Sequence, residues 1–136
     1  MRQYVTLSQV THDSQNGTLI FDMDESSENA PRLALKTEGD YIAISASYGP
    51  MEIALRPRLD ELKWTLSHIQ AIDGLQTSRQ IGSSQSYLAL GLRKDGALIV
   101  RPTILTDATG YFTFNFQLAS EMRAAFFEWL HVAPKA

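Results

Sequence analysis

The chain has no cysteine among its 136 residues. That excludes disulfides, thiol nucleophiles, Cys-ligated zinc and iron–sulfur clusters. Histidine is scarce as well. His12, His68 and His131 are the only three, and their spacing does not resemble a metal site. Long apolar runs are missing, so no segment reaches the length needed to cross a bilayer. The opening Met1-Arg2-Gln3-Tyr4-Val5 has neither an apolar core nor a small-residue cleavage site. No secretory signal is expected from it. With cysteine also absent, the reading is a cytoplasmic protein with no membrane partner. Signatures of catalysis are absent: no glycine-rich dinucleotide loop, no phosphate-binding P-loop, no G-x-S-x-G and no H-E-x-x-H. No cofactor and no metal are implied, and the chain is read as a non-enzyme.

A basic surplus is missing too. Lys and Arg number 12 against 15 Asp and Glu, for a net charge of −3. The imbalance is local. Residues 1–68 hold 6 basic and 10 acidic groups, and residues 69–136 hold 6 and 5. A duplex-DNA binder normally carries a marked positive excess. Any nucleic-acid role here must therefore rest on a local patch.

What is present is enough apolar residue, 44%, to bury one core. Val5 and Leu7 alternate with Thr6 and Ser8 as a half-buried strand does. Asn16-Gly17 predicts a hairpin with a type I′ turn, whose central positions both need positive φ. Leu19, Phe21 and Met23 form the returning face. Residues 24–31 are polar, acidic and closed by Pro31, which predicts an exposed loop. A short strand at 33–35, a turn at Gly39-Asp40 and strands at 41–48 and 51–56 follow. Pro57 sits where a helix should begin. The helix is expected over 58–72, with Gly74 as its stop.

Residues 76–86 are polar and Gly/Ser-bearing, the natural seam between two halves. Leu88, Leu90 and Leu92 then alternate into Asp95-Gly96, another hairpin signal, and Leu98 and Val100 return. Asp107 to Gly110 turns the chain. A last strand is predicted over 111–118, and a second helix begins with Ser120 as N-cap and ends near Val132.

The chain therefore repeats itself. Met51, Ile53 and Leu55 alternate into a helix carrying Leu59, Leu62, Leu66 and Ile69. Phe114, Phe116 and Leu118 alternate into a helix carrying Met122, Ala125, Trp129 and Val132. A strand-to-helix unit used twice predicts a duplicated, pseudo-symmetric domain.

Two groups of residues stand out as candidates for binding. If Leu88, Leu90, Leu92, Leu98, Val100, Phe112, Phe114 and Phe116 point inward, then Tyr87, Arg93, Arg101 and Tyr111 point outward. Thr113, Asn115 and Gln117 join them, and Lys94 lies at the turn. A strand face of tyrosines, arginines and amides suits single-stranded nucleic acid: cations track phosphates while rings stack on bases. An ordinary wet sheet face has the same composition. On the helices, Trp64 lies opposite its apolar stripe and Phe127 is displaced from its own. Exposed aromatics at these equivalent positions predict a subunit interface. The acidic cluster Asp22, Asp24, Glu25 and Glu28 lacks the ligand register of a calcium loop, so it reads as a solvated loop. Ser83, Ser84 and Ser86 read as linker.

The run Met51-Glu52-Ile53-Ala54-Leu55-Arg56-Pro57, then Leu59-Asp60-Glu61-Leu62-Lys63, closing on His68 to Asp73, resembles one unit of a known superfamily. It is similar to the last strand and helix of the positive-coactivator type of transcriptional regulators. The related Whirly proteins carry that unit twice in one chain. The resemblance implies antiparallel sheets that bind extended single-stranded DNA, and helices that help build oligomers. The expected architecture is a single α+β domain over 1–136, with two pseudo-repeated sheet-plus-helix halves at about 1–75 and 76–136. The expected function is a non-enzymatic module binding single-stranded nucleic acid at Tyr87, Arg93, Lys94, Arg101 and Tyr111. The rivals are an assembly module, a homo-oligomer built through Trp64 and Phe127, and, more weakly, a small-molecule enzyme or sensor.

Overall fold

A computed structural model describes residues 4–23, 30–107 and 110–133. It is an α+β protein of two mostly antiparallel sheets and two helices. The smaller sheet is a five-stranded meander: β2 (Gln9–Asp13), β3 (Thr18–Asp22), β4 (Arg32–Glu38), β5 (Tyr41–Tyr48) and β6 (Met51–Leu55). Period-two alternation is clear along β3, β4 and β5 but absent from β2. Leu19, Phe21, Leu33, Leu35, Ile42, Ile44 and Ile53 are buried, while the residues between them face outward. Most of the acidic segment at 24–31, including Asp24, Glu25 and Glu28, lies outside the described residues.

The larger sheet has seven strands. Its path runs β1 (Val5–Leu7), β12 (Phe116–Leu118), β10 (Leu98–Asp107), β9 (Ser86–Arg93) and β7 (Ala71–Ile72). Strand β8 (Arg79–Gly82) also pairs with β9, and β11 (Gly110–Thr113) pairs with β10. The last strand expected at 111–118 is divided in two, yet its register does not change. Val100 faces Phe116 on one side of the break and Thr103 faces Thr113 on the other. The break lies beside Pro102, which has no N–H to offer the ladder. Phe114 N–H still donates to the Pro102 carbonyl at 3.2 Å.

The sheets do not follow the chain halves strictly. Strand β1 runs parallel to β12 across nearly the whole sequence, with Val5 beside Phe116 and Leu7 beside Leu118. Only Ser8 separates β1 from β2, which belongs to the other sheet. Strand β7 likewise joins the larger sheet, parallel to β9.

Helix α1 (Leu59–His68) follows β6 and helix α2 (Ser120–Leu130) follows β12. Asp60 and Glu61 occupy the first turn of α1, where carboxylates suit the positive end of the dipole. Leu62 and Leu66 bury its inner face. The helix is shorter than the expected 58–72. Ile69 leaves it in an extended conformation (φ −69°, ψ 136°), and Ala71–Ile72 then forms β7. Ile69 stays buried, and the following residues gain a ladder with β9. Helix α1 touches β5 and β8, and α2 touches β12, β2 and β3, so each helix contacts both sheets. Phe126 of α2 meets Phe21 of β3 edge-to-face at 5.9 Å. Ser120 is the first helical residue rather than the cap; Ala119 holds the cap position without a side-chain bond. The helix stops at Leu130, two residues sooner than expected, and His131 caps it in a left-handed conformation (φ 57°). The N–H groups of His131 and Val132 return to the Glu128 and Phe127 carbonyls, a Schellman closure.

The Asn16-Gly17 hairpin forms, but not as a two-residue type I′ turn. The loop spans 14–17 between the paired Asp13 and Thr18, and only Gly17 takes positive φ (66°). The Asp13 carboxylate accepts from the backbone N–H of Gln15 and from the Asn16 side chain, at 3.1 and 2.8 Å. That Asx-type bonding closes the loop without a second strained residue. The Asn16 amide also holds the Asp13 carboxyl below its ordinary pKa.

Candidate nucleic-acid interface

Strand register fixes the outer face of the larger sheet. Tyr87 pairs with Thr103 and Thr103 with Thr113; Leu105 pairs with Tyr111; Ile99 pairs with Gly91 and Gln117. Arg101 stands between these rows. All of them project away from the core-facing Leu88, Leu90, Leu98, Val100 and Phe116. The outward assignment of Tyr87, Arg93, Arg101 and Tyr111 therefore agrees with the alternation in the sequence.

The face is a hydrogen-bonded array, not a loose fringe. Arg101 Nε donates to Asn115 Oδ1 at 2.9 Å. Arg101 takes part in none of the ion pairs of the described residues. Its charge is held in place by a neutral amide and stays available to an anion. Beside it, the Thr103 and Thr113 hydroxyls lie 2.9 Å apart. Tyr111 is 62% exposed, a presented ring. Tyr87 is half-buried at the other side of Thr103. Tyr87, Arg101 and Tyr111 thus form one group on three adjacent strands, roughly 10 Å across from β9 to β11.

Arg93 and Lys94 do not join that group. Six residues of strand put Arg93 about 20 Å from Tyr87. Arg93 donates to Gln117 Oε1 at 3.2 Å and lies 3.6 Å from Asp95. Gln117 in turn donates to Thr6 of β1 at 2.9 Å. Lys94 lies 3.9 Å from Asp73, and both are exposed. Between the two groups the chain covers the sheet. The crossover from β7 to β8 lies over Gly91 so closely that a Cβ there would meet Gln76 backbone. Ile99, next to Gly91, is wholly buried although it sits on the outer side. This crossover was not legible in the polar run 76–86. The one hint is Gly91 among Leu90 and Leu92, since a glycine inside a strand marks a close backbone approach.

The two helical aromatics differ from each other. Trp64 is 55% exposed, as expected. Its indole stacks on His68 at 4.2 Å, with the Arg79 guanidinium 5.7 Å from its centroid. Phe127 is a correction. It is 4% exposed and belongs to the core, so it presents no surface to a partner. Helix α2 touches both sheets, and the wedge it fills buries a wider arc than the stripe of Met122, Phe126, Trp129 and Leu130. Arg123 lies over the Phe127 ring at 5.3 Å, its stem serving as cover.

One feature of the smaller sheet escaped the sequence reading. Ala34, Ala43, Ser45 and Ala54 share its outer face and floor a concavity of about 430 Å³, rimmed by Thr18, Lys36 and Arg56. Arg56 is held by Glu38 at 3.1 Å and lies over Tyr41. The signal was in the sequence: Ala34, Ala43, Ser45 and Ala54 are small residues at outward positions of three neighbouring strands. Among the described residues no group of three His, Asp or Glu side chains is placed to hold a metal ion. No described helix is long and apolar enough to cross a membrane. No family model matches the chain, and no curated protein or solved structure matches it either.

Proposed function

We propose that this chain is a non-enzymatic module that binds single-stranded nucleic acid on the outer face of its larger sheet, at Tyr87, Arg101 and Tyr111. The observation that carries the reading is Arg101: a cation bonded to an amide rather than a carboxylate, between two tyrosines on one face. Tyr111 and Tyr87 would stack on bases, and Arg101 would contact a phosphate between them. Thr113 and Asn115, both half-buried, would offer a hydroxyl and an amide to the sugar and the base edges, while Thr103 is buried beneath them. Lys94, exposed at the far turn, and Arg93 would meet the backbone only if the strand continued past the Gln76 crossover. We read the two strand-to-helix units, β6 into α1 and β12 into α2, as copies of one unit of the Whirly kind. The shared order of a strand running directly into a helix supports that reading, although residues 56–58 make the first connection and Ala119 alone makes the second.

Fluorescence anisotropy with a labelled oligo-dT tests it. Binding should weaken as salt rises. Arg101→Ala should reduce the salt slope by about one. Tyr111→Ala should cost roughly 1–3 kcal/mol of affinity. No anisotropy change at low salt refutes the proposal.

A second reading rests on Trp64. An exposed indole fixed between His68 and Arg79 is a rigid anchor of the kind found at protein interfaces. On this reading the module binds protein and not nucleic acid. Light scattering of the wild type and of Trp64→Ala decides its self-association form: an unchanged monomer in both removes it.

A further inference from the structure

Resting on the nucleic-acid reading above, we propose that the larger sheet takes only a short tract of single strand, about three nucleotides, and that the Gln76 crossover is the wall that ends it. The outer face offers three rows short of that wall. One sets Arg101 beside Asn115. The next sets Thr103 between Tyr87 and Thr113. The last sets Leu105 between Gln85 and Tyr111, with the Leu105 N–H donating to the Gln85 carbonyl at 2.8 Å. Leu105 is half-buried, an apolar floor beside the exposed Tyr111 ring. From Arg101 to Leu105 is four residues of β10, about 13 Å. A nucleic-acid strand spaces its phosphates about 3.4 Å apart when stacked, and roughly twice that with its bases splayed. About three splayed nucleotides therefore span the rows.

The fourth row is closed. It consists of Gly91, Ile99 and Gln117. The backbone of Gln76 and Thr77 lies directly against Gly91, and Ile99 has no exposed surface. A nucleotide has no side chain to push aside there. The crossover is also tied down, since the Ser78 N–H donates to the Leu90 carbonyl at 2.8 Å. Arg93 and Lys94 stand behind this wall, with Arg93 bonded to Gln117. At the opposite end β10 finishes in Asp107, which does not extend a cationic site.

Among the described residues Arg101 is the only cation in the three rows. One arginine contacts one phosphate, so the logarithm of affinity should fall with the logarithm of salt at a slope no steeper than about −1. A protein that coats a long strand tracks its backbone with a continuous positive groove. This face has two tyrosines and one charge instead. Its ligand is a short tract held mainly through its bases.

An NMR titration of the 15N-labelled chain with dT3 and with dT12 tests the footprint, and the salt slope and affinity of each are read from the same signals. Both oligonucleotides should shift the amide signals of Tyr87, Thr103, Leu105, Tyr111 and Thr113. Neither should shift those of Arg93 and Lys94. The two salt slopes should agree. A three-nucleotide site has about ten registers on dT12, so dT12 should bind about tenfold more tightly than dT3. Lys94→Ala should leave the dT12 affinity within twofold. An advantage of dT12 over dT3 beyond a hundredfold overturns the proposal. So does a dT12 slope steeper than that of dT3 by one or more, or a shift at Arg93 and Lys94 with dT12 alone. In those cases the strand passes the crossover and the nucleic-acid reading stands. A chain that binds neither oligonucleotide at low salt overturns both.

Discussion

Gly91→Ala tests the covering of the larger sheet. A methyl group at this position would lie 2.9 Å from the Gln76 carbonyl carbon and 3.0 Å from Thr77 Cα, and closer still to the Gln76 carbonyl oxygen. These are backbone atoms, so no side chain can rotate away. The crossover must lift off the sheet, and the Ser78 N–H bond to the Leu90 carbonyl, 2.8 Å long, goes with it. Overpacking of this kind costs about 1–3 kcal/mol, and the lost bond adds about 1 kcal/mol. A total near 3 kcal/mol is a large share of the roughly 5–15 kcal/mol that holds a domain folded. With a urea slope of about 2 kcal/mol per molar, the midpoint should fall by roughly 1.5 M with the slope unchanged. Gly17→Ala is the control. Nothing lies within 4 Å of its added carbon, and only its positive φ resists. It should cost about 1 kcal/mol. If Gly91→Ala loses no more than Gly17→Ala, the crossover does not rest on Gly91 and the covered-face description is wrong.

Phe127→Ala should destabilise by about 3–5 kcal/mol as a core truncation, whereas Trp64→Ala should stay within about 1 kcal/mol in the same urea titration. Leu7→Ala, in a strand of only three residues, should still cost about 2–5 kcal/mol because Leu7 is fully buried. Asn16→Ala should raise the Asp13 carboxyl toward the ordinary value of about 3.9, seen by an NMR pH titration. Because the folded value is depressed, the stability it contributes is present above the unfolded pKa and lost as pH falls through the folded one. The stability gap between wild type and Asn16→Ala should therefore close under acid.

Strand positions were legible because alternation reports burial directly. Leu19 and Phe21, Ile42 and Ile44, Leu88 and Leu90 each mark which side is the core, and the larger sheet's outer residues follow from the same count. Asn115 beside Arg101 was also in the pattern, since both fall on the outward phase of strands that run in one register. What was hidden depends on contacts distant in sequence. Ala71-Ile72 is helical in local preference and becomes β7 only because β9 is there to pair with it. Phe127 sits off the apolar stripe, yet helix α2 reaches both sheets and buries it. Arg93 and Arg101 alternate on one face in the sequence, but a chain segment crossing at Gly91 divides them. None of these follows from periodicity, which describes one element at a time.

The division of the chain into two halves is likewise local in origin and not reproduced in the packing. Thr6 of β1 accepts from Gln117 of β12, 111 residues away, and Gln117 holds Arg93. Two residues after Thr6 the chain has already crossed into the smaller sheet at Ser8, whose N–H donates to the Asp22 carbonyl at 3.0 Å. Helix α2 emerges from the larger sheet and packs its Phe126 on Phe21 of the smaller one. Each sheet therefore borrows an element from the other half of the chain to complete its core. Loss of β1 would expose Phe116 and Leu118 in one sheet and release the start of β2 in the other. The two sheets form one cooperative unit for this reason. If the fold arose by duplication, its copies have exchanged so many contacts that neither retains a core of its own.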